Sequence, residues 1–183
     1  MKISLGSGGV RFPGWLHVDA DPQWQPDVVA DLSQPLPFPD DHADFLQSED
    51  FIGQLSFAQA REHLRDCHRV LKRGGVLRLL TPDLGVLVDH YQRGDTRVLE
   101  LWKREVGIPL VTDTLGELLH AALTFAGQKS FYDEATLRAL LEPIGFEVQR
   151  VVFNQSAWPE LRGLDQRSPD NAISLYRSEE HTS

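Results

Sequence analysis

The chain has 183 residues, 41% hydrophobic and 25% charged, proportions that suit one globular domain with one sizeable core. Its formal net charge of −9 argues against a surface built to neutralise nucleic-acid phosphates or to dock on an anionic membrane; a small neutral or cationic ligand is electrostatically easier. The one cysteine, Cys67, allows neither an intramolecular disulfide nor a Cys-based zinc site.

Met1–Leu5 enters a strand-like pattern directly, without the charged n-region and long h-region that a signal peptide would show, and no apolar run approaches the roughly 20 residues that span a bilayer. The expectation is a cytoplasmic protein. Four short apolar runs follow, each ended by glycine or an acid. Lys2–Leu5 runs into Gly6-Ser7-Gly8-Gly9, Trp15–Val18 into Asp19, Asp27–Ala30 into Asp31, and Ala43–Gln47 into Ser48-Glu49. Their flanking Gly, Pro and Asp residues favour strand over buried helix.

Phe57, Ala60, Leu64, Cys67 or His68, and Leu71 then recur at helical spacing, and within that pattern Cys67 reads as a small core residue. Ser56 with Gln59 predicts a capping box, and Lys72-Arg73 before Gly74-Gly75 predicts a cationic last turn with a glycine stop. A strand over Val76–Leu80 ends at Thr81-Pro82-Asp83. Helices are expected over 84–93, 97–105, 115–124 and 134–142, then a strand over Glu147–Phe153. The polar, Pro- and Gly-containing stretch Asn154–Asn171 reads as a functional loop, with Ala172–Tyr176 returning as an antiparallel edge strand. Strands alternating with helices predict an α/β protein, a Rossmann-like three-layer sandwich whose sheet is mostly parallel with an antiparallel final strand. One domain is expected over residues 1–176. Arg177–Ser183 matches the translation of a common sequencing adapter and reads as a non-native tail.

The chemistry concentrates at the ends of the first three strands. Glycines allow a sharp turn and close approach of backbone to ligand, and an acid ending the next strand can take both ribose hydroxyls of an adenosine ligand. Asp31, at matching height, can accept from an exocyclic adenine amine. Each residue alone also reads as a turn; together they align a glycine loop and two acids along one rim.

Leu5-Gly-Ser-Gly8, Pro13-Gly-Trp-Leu-His-Val-Asp19, Asp27-Val-Val-Ala-Asp-Leu32, Pro35-Leu-Pro-Phe-Pro-Asp40 and Arg69-Val-Leu-Lys-Arg-Gly-Gly75 occur in that order. In this the chain resembles the class I S-adenosylmethionine-dependent methyltransferases, of the type 11-like kind, and a small branch in which a Pro-Gly-Trp segment joins the first two strands. The resemblance implies that Gly6, Ser7 and Gly8 meet the methionine part of the cofactor, that Asp19 holds its ribose, and that Asp31 with Leu32 frames its adenine. It implies that Ser48 and Glu49 face the methionine and the acceptor. Where the acceptor must lose a proton, the candidates are Glu49, Asp50, Asp83 and His120. Asp50 also reads as a helix-start residue, Asp83 as a helix N-cap after Pro82, and His120 as a helix-surface histidine. His120–Asp133, with Phe125, Phe131 and Tyr132, resembles the family's acceptor-side region, and the loop around Ser156, Trp158, Glu160 and Arg162 could close over an acceptor.

The chain departs from the family pattern at Ser4, where an acid is usual, at Val10, where a third glycine is usual, and at Gly53-Gln54, where Glu-His is common. Only Arg11–Gly14 lies between the glycine loop and the second strand, too little for a crossover helix. Three functions remain. The first is methyl transfer to a small-molecule or glycan-like acceptor. The second is a catalytically inactive methyltransferase-like domain that binds a nucleoside or a partner. The third, a nicotinamide-dependent Rossmann enzyme, is disfavoured because no complete Gly-x-Gly-x-x-Gly is present.

Overall fold

The computed structural model describes residues 1–124, 127–166 and 176–182. Its strands are β1 (Lys2–Leu5), β2 (Leu16–Asp19), β3 (Val28–Val29), β4 (Ala43–Glu49), β5 (Leu71–Pro82), β6 (Glu147–Val151) and β7 (Tyr176–Thr182). Its α-helices are α1 (Phe57–Val70), α2 (Leu84–Arg93), α3 (Arg97–Glu105), α4 (Leu115–Thr124) and α5 (Glu134–Leu141). The strands form one sheet in the order β3-β2-β1-β4-β5-β7-β6. From β3 to β5 every pairing is parallel, the architecture expected of a Rossmann-like chain.

Three local expectations are corrected. The final strand is not at the edge: Tyr176–Thr182 lies between β5 and β6 and runs antiparallel to both, so β6 is the edge, and residues 172–175 fall outside the described residues. Helix α1 ends at Val70 with Leu71 in extended backbone, so the basic residues of its last turn are His68 and Arg69 rather than Lys72 and Arg73. Lys72–Gly75 instead bulges out of β5, between the pairs Ala43–Leu71 and Phe45–Val76, with Gly74 turning at a φ of 77°. Finally, β6 stops at Val151, short of Phe153.

Helices α1 and α5 cover one sheet face. Ser56 caps α1 as its spacing predicts, accepting from the Gln59 N–H while the Gln59 side chain accepts from the Ser56 N–H. Ala60, Leu64, Cys67 and Val70 of α1 and Leu137 and Leu141 of α5 pack on Ile3, Leu5, Val18, Leu46, Leu77 and Leu79. Each such leucine, fully buried, contributes on the order of 1.5–3 kcal/mol. Helices α2 to α4 form a separate cluster around Leu87, Val98, Leu99, Trp102 and Leu118.

The opposite face is built differently. The Gly6–Trp15 connection between β1 and β2 contains no helix, as its length predicts. In register across the sheet stand His17 of β2, Ser4 of β1, Gln47 of β4 and Arg78 of β5, a row of polar side chains all at most 3% exposed. Each has a partner. Ser4 Oγ donates to Gln47 Oε1 at 2.9 Å, His17 Nε2 accepts from the Phe12 N–H at 2.9 Å, and His17 Nδ1 lies 3.1 Å from Asp27 Oδ2.

Arg78 meets Asp165 through two bonds of 2.9 and 2.8 Å, both side chains fully buried, and donates to the Gln155 carbonyl at 3.0 Å. Asp165 and Asn154 also exchange bonds: the Asn154 N–H donates to Asp165 Oδ2 at 2.6 Å and the Asp165 N–H to Asn154 Oδ1 at 2.8 Å. The loop 154–165 is thus closed at its neck and pinned to the sheet. It lays Trp158, Leu161 and Leu164 on Phe12, Trp15, Phe45 and Val76, forming the outer layer there in place of a helix.

Removing one partner of a buried ion pair strands the other charge, at a cost of about 3–5 kcal/mol, whereas replacing both with apolar groups is often nearly neutral. Arg78→Met is therefore expected to lower unfolding free energy by about that amount, and Arg78→Met/Asp165→Leu to recover most of it; urea titration of the three proteins measures both.

Candidate active site

The chain leaves β1 by turning across the end of β2: the Gly6 and Ser7 N–H groups both donate to the Val18 carbonyl, at 2.9 and 3.2 Å. Gly6 has a φ of 67°, and a Cβ there would lie 2.7 Å from Phe51 Cβ. Backbone strain and lack of space both demand glycine. Asp19, the last residue of β2, ties this loop down. One carboxylate oxygen accepts from the Gly8 N–H at 2.8 Å, the other from the Asp21 N–H at 3.0 Å. Arg11 clamps the far side, donating to the carbonyls of Val10 (2.9 Å), Gln25 (2.7 Å) and Trp24. The Trp24 ring lies over Gly9 and is 46% exposed, so this rim opens to solvent.

Beyond β3, Asp31 accepts from the Ser33 N–H at 2.9 Å, which holds its carboxyl below the ordinary carboxylate range, and Leu32 is buried beside it. At the end of β4, Glu49 Oε2 accepts from the Gln166 N–H at 3.2 Å, and Asp50 turns the chain with a φ of 62°. The Gly53 carbonyl accepts from the Lys129 and Ser130 N–H groups at 2.7 and 3.1 Å, and a Cβ on Gly53 would collide with the Gln128 side chain. Gly53, a departure from the family pattern, is thus the seat on which 128–130 docks.

These elements enclose a groove of about 640 Å³, within the size range of small-ligand sites. Gly6, Gly8, Asp19, Asp31, Leu32, Glu49 and Asp50 all line it, so one site collects seven of the sequence candidates. Trp24, Phe51, Gln54, Gln59 and Lys129 also line it and were not anticipated. The exposed tryptophan just after Asp21-Pro22 was the one available signal; Lys129 arrives from a distant helix connection. Five carboxylates against one lysine make the groove acidic, which suits a cationic sulfonium ligand. The glycine cradle, the ribose-height acid and this charge all fit S-adenosylmethionine.

Four candidates lie elsewhere. Ser7 lines a smaller adjoining cavity. Ser48 is inside β4 rather than after it, 2% exposed, and alternation turns it away from Gln47 and Glu49, toward α1. Asp83 is the N-cap of α2, accepting from the Gly85 N–H at 2.9 Å, and lines neither cavity. His120 is exposed on α4 and also lines neither. Of the acceptor-side aromatics, Tyr132 is fully buried against Phe57, and Phe125 lies outside the described residues. The loop around Trp158 rests on the sheet face, with Glu49 reached by Gln166 beyond it.

Residues 13–79 match the family model of the methyltransferase domain. No curated protein sequence matches the chain. Among solved structures, an S-adenosylmethionine-dependent methyltransferase from Mesorhizobium loti superposes with a TM-score of 0.59 at 16% identity, over 100% of this chain and 90% of that one. Similar proteins from Archaeoglobus fulgidus (0.58, 15%, 100% and 85%) and Thermotoga maritima (0.57, 18%, 99% and 81%) share the fold. The fold is that of the class I methyltransferases. In its sequence match over residues 13–79 and in the order of its motifs, the chain is similar to the S-adenosylmethionine-dependent methyltransferases of class I. Among the described residues no helix is long and apolar enough to cross a membrane.

Behind the groove, His63 of α1 is 5% exposed, edge-on to Phe51 at 5.3 Å and 3.5 Å from Cys67 Sγ. Burial pushes the imidazole down to about 4, against an opposing contact with the Leu32 backbone, and the same burial pushes the Cys67 thiol up. The folded chain thus refuses a proton that the unfolded chain accepts near its ordinary value of 6.5. Stability present above that pH is expected to fall between about 6.5 and 4, by about 3 kcal/mol. Urea unfolding across that range, beside His63→Phe, checks it: the variant is expected to show a shallower dependence.

Proposed function

We propose that this chain is an active enzyme that transfers a methyl group from S-adenosylmethionine to a small-molecule or glycan-like acceptor, working in the cytoplasm. The observation that carries this reading is one groove receiving the ends of β1, β2 and β3 with a glycine loop, Asp19 and Asp31. When bound, the cofactor supplies a methyl group activated by a sulfonium. Asp19, already fixed by two backbone donors, keeps lone pairs for the ribose hydroxyls. Asp31 and Leu32 frame the adenine, and Gly6 and Gly8 admit the methionine portion to within backbone contact.

The protein's main task is then alignment of donor and acceptor, which can supply roughly 7–11 kcal/mol of barrier reduction. Glu49, at the mouth of both cavities, receives a proton where the acceptor must lose one. Asp83, engaged as a helix cap, and His120, exposed on α4, have no part in this reading. One observation favours the inactive domain instead: without a crossover helix, the glycine loop has no helix N-terminus to add its positive end.

Calorimetric titration decides between them. S-adenosylhomocysteine is expected to bind in the micromolar range, Asp19→Ala to weaken it at least about tenfold, and NADH not to bind. A folded chain with no affinity for S-adenosylhomocysteine leaves the inactive scaffold; unchanged affinity in Asp19→Ala removes the ribose assignment.

A further inference from the structure

A second cavity, of about 180 Å³, adjoins the groove at Gly6, Glu49 and Asp50. It lies on the sheet face opposite α1 and α5, where the polar row supplies Ser4 and Gln47 as its floor and the β1–β2 connection supplies Val10 and Phe12 as a wall. Gln166, at the end of the pinned loop, closes it and bonds to Glu49. Ser7 lines it, is 8% exposed, and its buried Oγ has no hydrogen-bond partner among the described residues. Such a hydroxyl marks a bond that a ligand can complete.

The chemistry of the lining selects the ligand. Glu49 and Asp50 bring negative charge, Ser4 and Ser7 bring hydroxyl oxygens, and among the described residues no Lys, Arg or His lines the cavity. Val10 and Phe12 offer apolar contact. The space equals the liquid share of about six waters, enough for a short chain and little more. A compact group with several N–H donors on a short carbon stem meets all of these conditions.

Resting on the methyltransferase reading, we infer that this compartment is the acceptor pocket and that it takes a small aliphatic primary amine, bound as its ammonium. Glu49 removes one proton from the ammonium. The freed nitrogen lone pair then forms the new N–C bond as the methyl carbon's bond to sulfur breaks, its electron pair staying on sulfur, and the product leaves as a methylammonium.

The test titrates n-butylammonium and its neutral counterpart 1-butanol into the chain, loaded with S-adenosylhomocysteine and without it. The ammonium is expected to bind at least about tenfold more tightly than the alcohol, a margin that charge-assisted hydrogen bonds supply. Val10→Phe, which fills the compartment, is expected to abolish ammonium binding and to leave S-adenosylhomocysteine affinity within about twofold. Glu49→Gln is expected to erase the preference for ammonium over alcohol, and keeps the test decisive if Val10→Phe does not fold. Absence of ammonium binding in either form of the chain overturns the inference. So does a Val10→Phe protein that loses S-adenosylhomocysteine, because the compartment then holds the cofactor's own amino-acid tail. Failure of S-adenosylhomocysteine to bind the unaltered chain instead counts against the enzyme reading, while the titration without it still reads the compartment.

Discussion

One buried ion pair organises the side of the molecule that the helices leave bare. Arg78 stands in the middle of the sheet with no exposure, and its charge requires a partner of opposite sign at full hydrogen-bonding geometry. Asp165 meets that requirement only when the loop carrying it lies flat on the sheet. The loop's own closure through Asn154, its apolar contacts with Trp15 and Val76, and the reach of Gln166 to Glu49 all follow from that placement. A helix would cover the same strands with a stripe of apolar side chains. Here a polar row fills the position, and specific hydrogen bonds take over part of the work of hydrophobic area.

The same substitution of loop for helix shapes the site. In doubly wound folds a crossover helix backs the phosphate- or ligand-binding turn. This chain holds its glycine turn from in front and from the side instead, through the Asp19 carboxylate and the Arg11 guanidinium. Asp19 is therefore at once a structural brace and part of the groove's lining. The acidic character of the groove comes from strand ends whose carboxylates are mostly engaged with neighbouring backbone, so the negative field is fixed before any ligand arrives.

The sequence made the parallel half of the fold legible because its strands end where Gly and Asp stand, and because α1 carries both its apolar stripe and its capping box within a few residues. The helix boundaries of the second half were equally local: Asp83, Gly94 and Asp133 announce them. What was hidden depended on contacts between distant segments. Gly74-Gly75 reads as a helix stop, and only pairing with β4 shows it to be a bulge. Ser48 reads as following a strand until register places it within one. Lys129 enters the groove through a bond to Gly53 that no periodicity encodes. Arg78 is a single charged residue in an apolar run, and nothing near it in the sequence points to Asp165.

The helical excursion between β5 and α5 begins and ends at nearly the same point. The Leu84 N–H donates to the Tyr132 carbonyl at 2.8 Å, and Asp83 bridges Tyr132 directly where the strand gives way to α2. Its stem is thus stitched shut by backbone atoms, whose bonds are indifferent to side-chain identity. Helices α2 to α4 keep their own apolar cluster above that stem. The arrangement makes the excursion a cassette: its residues can be exchanged, lengthened or reshaped by descent while the sheet, the glycine turn and the Arg78 anchor stay as they are.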